Sequence, residues 1–187
     1  FLDSNLNGIA DDSDLGLSGV RVSINGLGTN ILTKENGFAL VEGFLPDSSN
    51  DVSIVGSSIT DPSLRAKLPD YAIVPRPGRI AIVGVPVVLT GEIEGVVRYK
   101  SGQQTVAAPN IKLTLKSVIN ENTEIYEIFT EYDGLYSLAG IPIGKYELFI
   151  DTDMLNAAGL ISIPSSIFVE IDKESTFLND LNILITK

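Results

Sequence analysis

Several residue types that carry much of protein chemistry are missing from this chain of 187 residues. It contains no cysteine, no histidine and no tryptophan. Without cysteine there is neither a disulfide framework nor a thiolate metal site. Without histidine, this chain on its own cannot form a Ser-His-Asp triad, a Cys-His dyad or an imidazole zinc site. The sequence therefore predicts a protein that is not an enzyme.

Pairs of carboxylates remain as possible acid and base groups. Glu92 with Glu94, and Asp151 with Asp153, are each two residues apart, and a glycosidase needs two carboxyl groups flanking its scissile bond. This spacing places each pair on one face of a strand or turn, where solvated charges are the ordinary interpretation. The pairs do not change the prediction of a non-catalytic chain.

Positive charge and long apolar runs are also scarce. There are 13 Lys and Arg against 24 Asp and Glu, a net charge of −11. Nucleic acids and anionic lipids need a basic surface, so neither is expected as a partner. The longest apolar stretch, residues 80–89, is interrupted by Gly84 and Pro86 and is shorter than the roughly 20 residues of a membrane-spanning helix. We expect no direct membrane insertion by this fragment.

The most distinctive motif is an acidic segment, residues 3–14, with the spacing of a twelve-residue calcium loop. If the first residue takes loop position 1, Gly8 falls where the sharp turn is needed. The expected ligands are five side chains and one backbone carbonyl, that of the isoleucine: Asp3, Asn5, Asn7, Ile9, Asp11 and Asp14. The last replaces the longer Glu that usually closes such a loop with both oxygens, so we expect a lower calcium affinity. The predicted cofactor is calcium.

Charge density supports the same interpretation. Four carboxylates lie within these twelve residues, those of Asp3, Asp11, Asp12 and Asp14, and no basic residue follows until Arg21. Without a cation these groups would repel one another. The alternative is an ion-free surface turn, because Asp, Asn and Gly are ordinary turn formers.

The residues after the loop indicate a β-protein rather than an EF-hand. Val20, Val22 and Ile24 alternate with polar residues, as in a half-buried strand. With 17 Gly, 9 Pro and 44% hydrophobic residues, the composition suits β-rich domains with proper cores. The only candidate helix is a turn or two at residues 154–158.

An internal repeat suggests two modules. Residues 33–40 are echoed by residues 130–138, and each segment is predicted to be a hairpin with an Asn-Gly or Asp-Gly turn. Residues 20–24 likewise match 111–116. We place the boundary near Leu89-Thr90-Gly91, giving domains 1–90 and 91–187, each with about seven strands. The predicted fold class is all-β, with two tandem immunoglobulin-like or transthyretin-like β-sandwich domains.

The first module resembles a known family. The order Leu2-Asp3-x-Asn5-x-Asn7-Gly8, followed by Asp11, Leu17-x-Gly19-Val20 and Asn36-Gly37, is similar to the calcium-binding B-type repeats of serine-aspartate-repeat surface adhesins. This resemblance implies a non-catalytic surface module that binds calcium.

The second module resembles the carboxypeptidase regulatory-like, transthyretin-like domain, which is related to the B domains of collagen adhesins. The motifs are Gly91-x-Ile93-x-Gly95-Val96-Val97, Thr130-x-x-Asp133-Gly134-x-Tyr136-x-Leu138 and Pro142-x-Gly144-x-Tyr146. Residues 60–64, 74–79 and 85–95 are in addition similar to the C-terminal soluble region of outer-membrane usher-like proteins. Such modules specify a fold better than a ligand.

Together the resemblances imply a structural stalk or spacer fragment of a bacterial cell-envelope or surface protein. It would be extracytoplasmic, at the cell surface or associated with the outer membrane. Its expected partners are neighbouring domains of the same larger protein, with a host or envelope protein as a further partner. The alternatives are an adhesin module that binds a protein or glycan, and the soluble region of an usher-like pilus-assembly protein.

Two further features have ordinary interpretations. Collagen-adhesin B domains often join Lys to Asn, and Lys100 or Lys112 with Asn179 or Asn182 would be the candidates, but surface lysines explain the pattern. The segment 75–79, Pro-Arg-Pro-Gly-Arg, is better explained as a rigid bend than as a docking strip.

Overall fold

The computed structural model describes residues 1–44, 46–118 and 125–187. Within them the chain forms two compact units, Phe1–Leu89 and Thr90–Lys187. Nearly all regular structure is β-strand, with a single α-helix among the described residues. The predicted all-β class, built from sheets packed over apolar cores, is confirmed.

The first unit contains one four-stranded antiparallel sheet and a short two-stranded pair. The strands of the unit are β1 Arg21–Ile24, β2 Leu27–Leu32, β3 Asn50–Ile54, β4 Leu64–Ala66 and β5 Tyr71–Ile73. The sheet has the order β2-β1-β3-β5, and β4 pairs with residues 87–89, the first residues of strand β6 (Val87–Ser101). Buried Val20, Ile59 and Val87 form the core of this unit.

The second unit is built from two sheets. Its remaining strands are β7 Gln104–Ala107, β8 Lys112–Ser117, β9 Ile125–Phe129, β10 Leu135–Pro142, β11 Gly144–Ile150, β12 Ile161–Ile163, β13 Ser166–Ile171, β14 Phe177–Leu178 and β15 Ile183–Thr186. One sheet has the order β10-β6-β15-β12, with β7 and β14 also paired to β6, and the other has the order β13-β11-β8-β9. The sequence predicted about seven strands per module, whereas the described residues of the second unit form ten.

Alternating side chains on these strands supply the larger core. Leu113 and Leu115 of β8, and Leu148 and Ile150 of β11, are fully buried, as expected when every second residue of a strand faces the interior. Tyr136 is 1% exposed and lies in the same cluster.

The helix predicted near residues 154–158 is confirmed as α1, Thr152–Ala157. Asp151 caps it by accepting a hydrogen bond from the backbone N–H of Asp153 at 2.9 Å, which satisfies one of the free donors of the first turn. Leu155 is the buried residue of this helix. One of the two acidic pairs considered for catalysis therefore has a local structural role.

A threonine hydroxyl organises the turn region of each unit in the same way. Thr33 Oγ1 donates to the carbonyl of Leu17 at 2.5 Å and accepts the backbone N–H of Val20 at 2.9 Å. Thr130 Oγ1 donates to the carbonyl of Ala108 at 2.7 Å and accepts the backbone N–H of Ile111 at 2.8 Å. The two units thus share a hydrogen-bond arrangement at the segments whose sequences echo each other.

The hairpins predicted at these segments are wrong. The turns exist, with Gly37 and Gly134 at φ 76° and 84°, which is the left-handed conformation that glycine tolerates. However, β9 before the second turn pairs with β8, whereas β10 after it pairs with β6. In the first unit no strand follows the turn among the described residues up to 44. Each turn therefore leads out of its sheet, because the threonine fixes the chain to an earlier segment.

Candidate metal centre

The acidic loop is held by backbone hydrogen bonds at both ends. The N–H of Leu2 donates to the carbonyl of Leu15 at 2.8 Å, and the N–H of Asp3 donates to the carbonyl of Val87 at 2.8 Å. Val87 is a core residue of the first unit, 2% exposed. The loop is therefore a closed excursion between two points that are fixed to the folded unit.

Asp3 is the buried member of the predicted ligand set, with 1% of its surface exposed. Its Oδ2 atom accepts the backbone N–H of Gly8 at 2.9 Å. This bond draws the middle of the loop toward its first residue, and Gly8 has φ 76° there, so the predicted sharp turn is present. The Oδ1 atom is buried and has no hydrogen-bond partner among the described residues.

The two asparagines and Asp11 form a second cluster on the exposed side of the loop. The Nδ2 atoms of Asn5 and Asn7 each donate to Oδ2 of Asp11 at 3.1 Å. Hydrogen bonds from the Ser13 side chain and backbone, followed by those from the asparagines, lower the pKa of Asp11 to about 2. Asp11 is therefore ionised at every physiological pH.

Asp14 closes the loop through hydrogen bonds to its backbone. Oδ1 accepts the N–H of Ser4 at 3.1 Å, and Oδ2 accepts the N–H of Asp11 at 3.2 Å. Ile9, whose carbonyl was predicted as a ligand, has a side chain that is 68% exposed. Backbone, amide and hydroxyl donors thus take up most of the carboxylate oxygens of the predicted ligands.

Lys67 is the contributor that sequence reasoning missed. Its Nζ donates to the carbonyl of Leu6 at 2.8 Å and lies 3.7 Å from Oδ2 of Asp3. Leu6 has φ 61°, a conformation that a bulky side chain rarely adopts. The lysine follows strand β4 and reaches a residue 61 positions earlier in the chain. No local spacing rule could have found this contact, because it depends on how β4 packs.

Tyr71 is a second buried polar group close to the loop. Its hydroxyl oxygen, like Oδ1 of Asp3, has no hydrogen-bond partner among the described residues. Burial, and secondly the negative charge of Asp3, raise the pKa of Tyr71. Two unsatisfied buried oxygens beside one loop are unusual, because buried side-chain polar atoms nearly always have a partner.

The carboxylates are not gathered as a complete ion cage in this structure. Among the residues it describes, no group of three or more His, Cys, Asp and Glu side chains is arranged to hold a metal ion. Asp11 and Asp14 accept N–H donors instead, and Asp3 contacts an ammonium group. The oxygen donors and spacing of a calcium loop are present, and the predicted ligand set remains a prediction.

The second unit has no comparable loop in its described part. Asp172 accepts the backbone N–H groups of Glu174 and Ser175 at 2.8 and 2.7 Å, as an ordinary turn does. Residues 120–122, Asn-Glu-Asn, which lack the full set of calcium ligands in their sequence, lie outside the described residues. Lys112, one of the lysines considered for a covalent cross-link, forms an ion pair with Glu127 of β9.

Comparisons with known proteins give similarities to solved structures alone. The sequence matches no protein-family model, and no curated protein matches it. Among solved structures, it is similar to the minor pilin GBS52 of Streptococcus agalactiae, with 12% identity, a TM-score of 0.40, and coverage of 96% of this chain and 87% of that one. It is also similar to the TIE protein of Bacillus anthracis, with 17% identity and a TM-score of 0.39.

The match to the TIE protein covers 94% of this chain but only 32% of the TIE protein, so this chain spans about a third of that protein's length. A third similar structure is the pilus 2b backbone protein of group B streptococcus, with 16% identity, a TM-score of 0.38, and coverage of 93% and 80%. All three TM-scores are below 0.5. Within the described residues, none of the helices has the length and apolar character needed to cross a membrane.

Proposed function

We propose that this chain is a non-catalytic structural module of a bacterial cell-surface protein, and that calcium bound in the loop 3–14 stabilises its first unit. The observation that carries the proposal is the buried carboxylate of Asp3, whose Oδ1 has no partner among the described residues. A buried carboxylate without full compensation is costly. A divalent cation is the partner that the surrounding oxygen donors fit best.

The residues that would hold the ion are the predicted ligand set, including the backbone carbonyl of Ile9. Asp3 supplies a buried carboxylate, Asn5 and Asn7 supply carboxamide oxygens, and Asp11 and Asp14 supply the outer carboxylates. Calcium would contribute positive charge, which neutralises the acidic cluster. The chain's own part is to bring these groups together through the Gly8 turn and to hold the loop ends at Leu15 and Val87.

The expected stabilisation is modest. Extracellular calcium modules bind at about 10⁻⁴ to 10⁻³ M. At calcium concentrations near 1 mM, such a site stabilises the folded state by about 0.4 to 1.4 kcal/mol. This is enough to order a loop but not to build a fold, and the apolar core around Val20, Ile59 and Val87 remains the main source of stability.

A spacer role follows from where the loop is fixed. An ion that rigidifies the loop acts on Leu2 and Asp3, and both are hydrogen-bonded to residues of the folded unit. Order at the beginning of the described chain would limit its freedom relative to whatever domain adjoins it. The surface location and the neighbouring domains as partners follow from the sequence resemblances.

The proposal is tested by titrating calcium into the metal-stripped chain by calorimetry and following thermal unfolding. We expect about one ion per chain and a higher melting temperature. The double variant Asp3→Asn, Asp14→Asn keeps the size of both side chains. It should abolish both the heat of calcium binding and the rise in melting temperature. Asp172→Asn, in a turn of the second unit, is the matched control and should leave both unchanged.

Magnesium in place of calcium provides a second control, because magnesium demands a tighter octahedral geometry and keeps its water. The absence of heat and of any thermal shift at several millimolar calcium would contradict the proposal. The loop would then be an acidic turn held by its own N–H donors and Lys67.

A binding module remains the second candidate, favoured by a different observation. Ile80 and Ile82 are 84% and 85% exposed and lie two residues apart in a segment outside the named strands. Exposed apolar side chains at this spacing suit contact with a partner strand. The test compares the adherence of cells that display the unchanged chain with that of cells that display a variant in which both residues are changed to Lys. Loss of adherence at an unchanged melting temperature would favour the binding module.

A further inference from the structure

Lys67 places a positive charge inside the loop that is proposed to bind calcium. Its ammonium group lies 2.8 Å from the carbonyl oxygen of Leu6 and 3.7 Å from Oδ2 of Asp3. A Cβ atom built on Gly8 would be 3.8 Å from the same nitrogen. The ammonium therefore contacts the first and fourth residues of the loop and lies beside its turn.

We infer that Lys67 is a built-in competitor of the cation, holding the loop when calcium is absent and weakening calcium binding by its charge. This inference rests on the proposed calcium site. The acidic cluster alone would not support it. The independent observation is that Oδ1 of Asp3, on a residue 1% exposed, is unpartnered even with the ammonium beside the carboxylate.

The charges explain why the two cations compete. The ammonium group is 3.7 Å from one oxygen of Asp3, so a divalent ion bound by the same carboxylate would be only a few ångströms from it. Like charges at such a distance repel strongly, and partial burial weakens the screening by water. One lysine charge neutralises only part of the four carboxylates in the loop, so a site for further positive charge remains.

The lysine is also free to leave. Its side chain is 30% exposed, whereas that of Asp3 is completely buried. A partly exposed ammonium group can move into water at little cost, because the long side chain keeps its apolar stem against the protein. The buried carboxylate has no such option. Calcium binding should therefore displace the lysine rather than the aspartate.

The test is calorimetric titration of calcium into four full-length chains at fixed ionic strength: wild type, Lys67→Met, Lys67→Arg and Arg65→Met. Met keeps most of the side-chain volume without charge, and Arg keeps the charge. Arg65 is exposed on strand β4, and its side chain makes no hydrogen bond or ion pair with the described residues. We expect Lys67→Met to bind calcium roughly tenfold more tightly than wild type, and the other two variants to stay within about twofold of it.

Thermal unfolding supplies a second readout. Without calcium, Lys67→Met should melt below wild type, because the loop has lost its internal counter-ion, and it should show the larger gain on adding calcium. If it does not fold, Lys67→Gln replaces it, since a carboxamide retains a donor for the Leu6 carbonyl. Equal or weaker calcium affinity of the uncharged variants would overturn the inference, and Lys67 would then be a purely structural contact.

The outcomes separate this inference from the proposed function. Calcium binding by wild type, with no change in the uncharged variants, retains the calcium site and rejects the competition. Binding only by the uncharged variants supports the competition and rejects calcium as the ion of the natural chain. Binding by neither rejects both.

Discussion

Replacing Thr130 by Val removes the hydroxyl group that organises the turn of the second unit, while it keeps the shape of the side chain. Thr130 is 5% exposed. Its Oγ1 donates to the carbonyl of Ala108 at 2.7 Å and accepts the N–H of Ile111 at 2.8 Å. Val cannot make either bond, and both backbone groups lose this partner.

The size of the effect follows from these two contacts. A hydrogen bond contributes about 0.5 to 1.5 kcal/mol net, and a buried group left unsatisfied costs about 1 to 3 kcal/mol. Because the direct backbone bonds between Thr130 and Ile111 and between Asn110 and Thr130 remain, we expect a loss of about 3 kcal/mol. For a unit of this size, that lowers the melting temperature by roughly 12 to 24 °C.

Urea unfolding followed by tyrosine fluorescence measures the change. Five of the six tyrosines, all except Tyr71, belong to the second unit, so the signal reports mainly on that unit. Thr105→Val, at an exposed position of β7, is the control and should change stability by less than about 0.5 kcal/mol. Thr33→Val, at the half-buried equivalent position in the first unit, should cost less than Thr130→Val. A Thr130→Val variant as stable as the control would refute the reasoning.

Three further predictions concern Gly95 and Tyr136, which lie against each other in the second unit, and the carboxylate of Asp11 in the loop. Gly95→Ala should lower the free energy of unfolding in urea by about 3 kcal/mol, because a Cβ there would lie 2.3 Å from the carbonyl oxygen of Leu181 and 2.5 Å from the hydroxyl of Tyr136. A loss below about 1 kcal/mol would show that β6 can shift. Burial raises the pKa of Tyr136, so the contribution of this neutral phenol to folding stability is fully present below the unfolded pKa near 10 and is lost as pH rises further. Tyr136→Phe should therefore reduce the loss of stability between about pH 10 and 12. A urea midpoint with the same pH dependence as that of the unchanged chain would contradict this. The low pKa of Asp11 predicts that its carboxylate stays ionised as pH falls from about 4 toward 2. Titration of the carboxylate by NMR is the check, and a titration midpoint near the usual Asp pKa of about 3.9 would contradict it.

Much of the fold was predictable from local patterns. Alternating apolar residues identified β1, the segment that matches it identified β8, and the one candidate helix was found as α1. The pairing of those strands was not predictable in the same way. The turns at Gly37 and Gly134 have the sequence of hairpins, yet β9 and β10 on either side of Gly134 pair with different strands, and no strand follows Gly37 among the described residues up to 44. The hydroxyl groups of Thr33 and Thr130 bind earlier segments of the chain, and turn chemistry alone does not reveal these long-range contacts.

The candidate site shows the same division. Spacing alone identified the loop, its turn at Gly8 and its oxygen donors, since all lie within twelve residues. Spacing could not show that Asp3 is buried while Asn5 and Asn7 are exposed, or that Lys67 enters the loop. Those facts depend on packing against Val87 and on the position of β4, which are properties of the folded unit.

The most direct test of the account is a crystal structure of the chain grown with calcium, with anomalous scattering used to locate the ion. We predict an anomalous peak in the loop with oxygens at about 2.3 to 2.6 Å, among them Oδ1 of Asp3 and a carboxylate oxygen of Asp14, and with the Lys67 ammonium moved away from the Leu6 carbonyl. A well-ordered loop without a peak at several millimolar calcium, and with Lys67 still bound to Leu6, would contradict it.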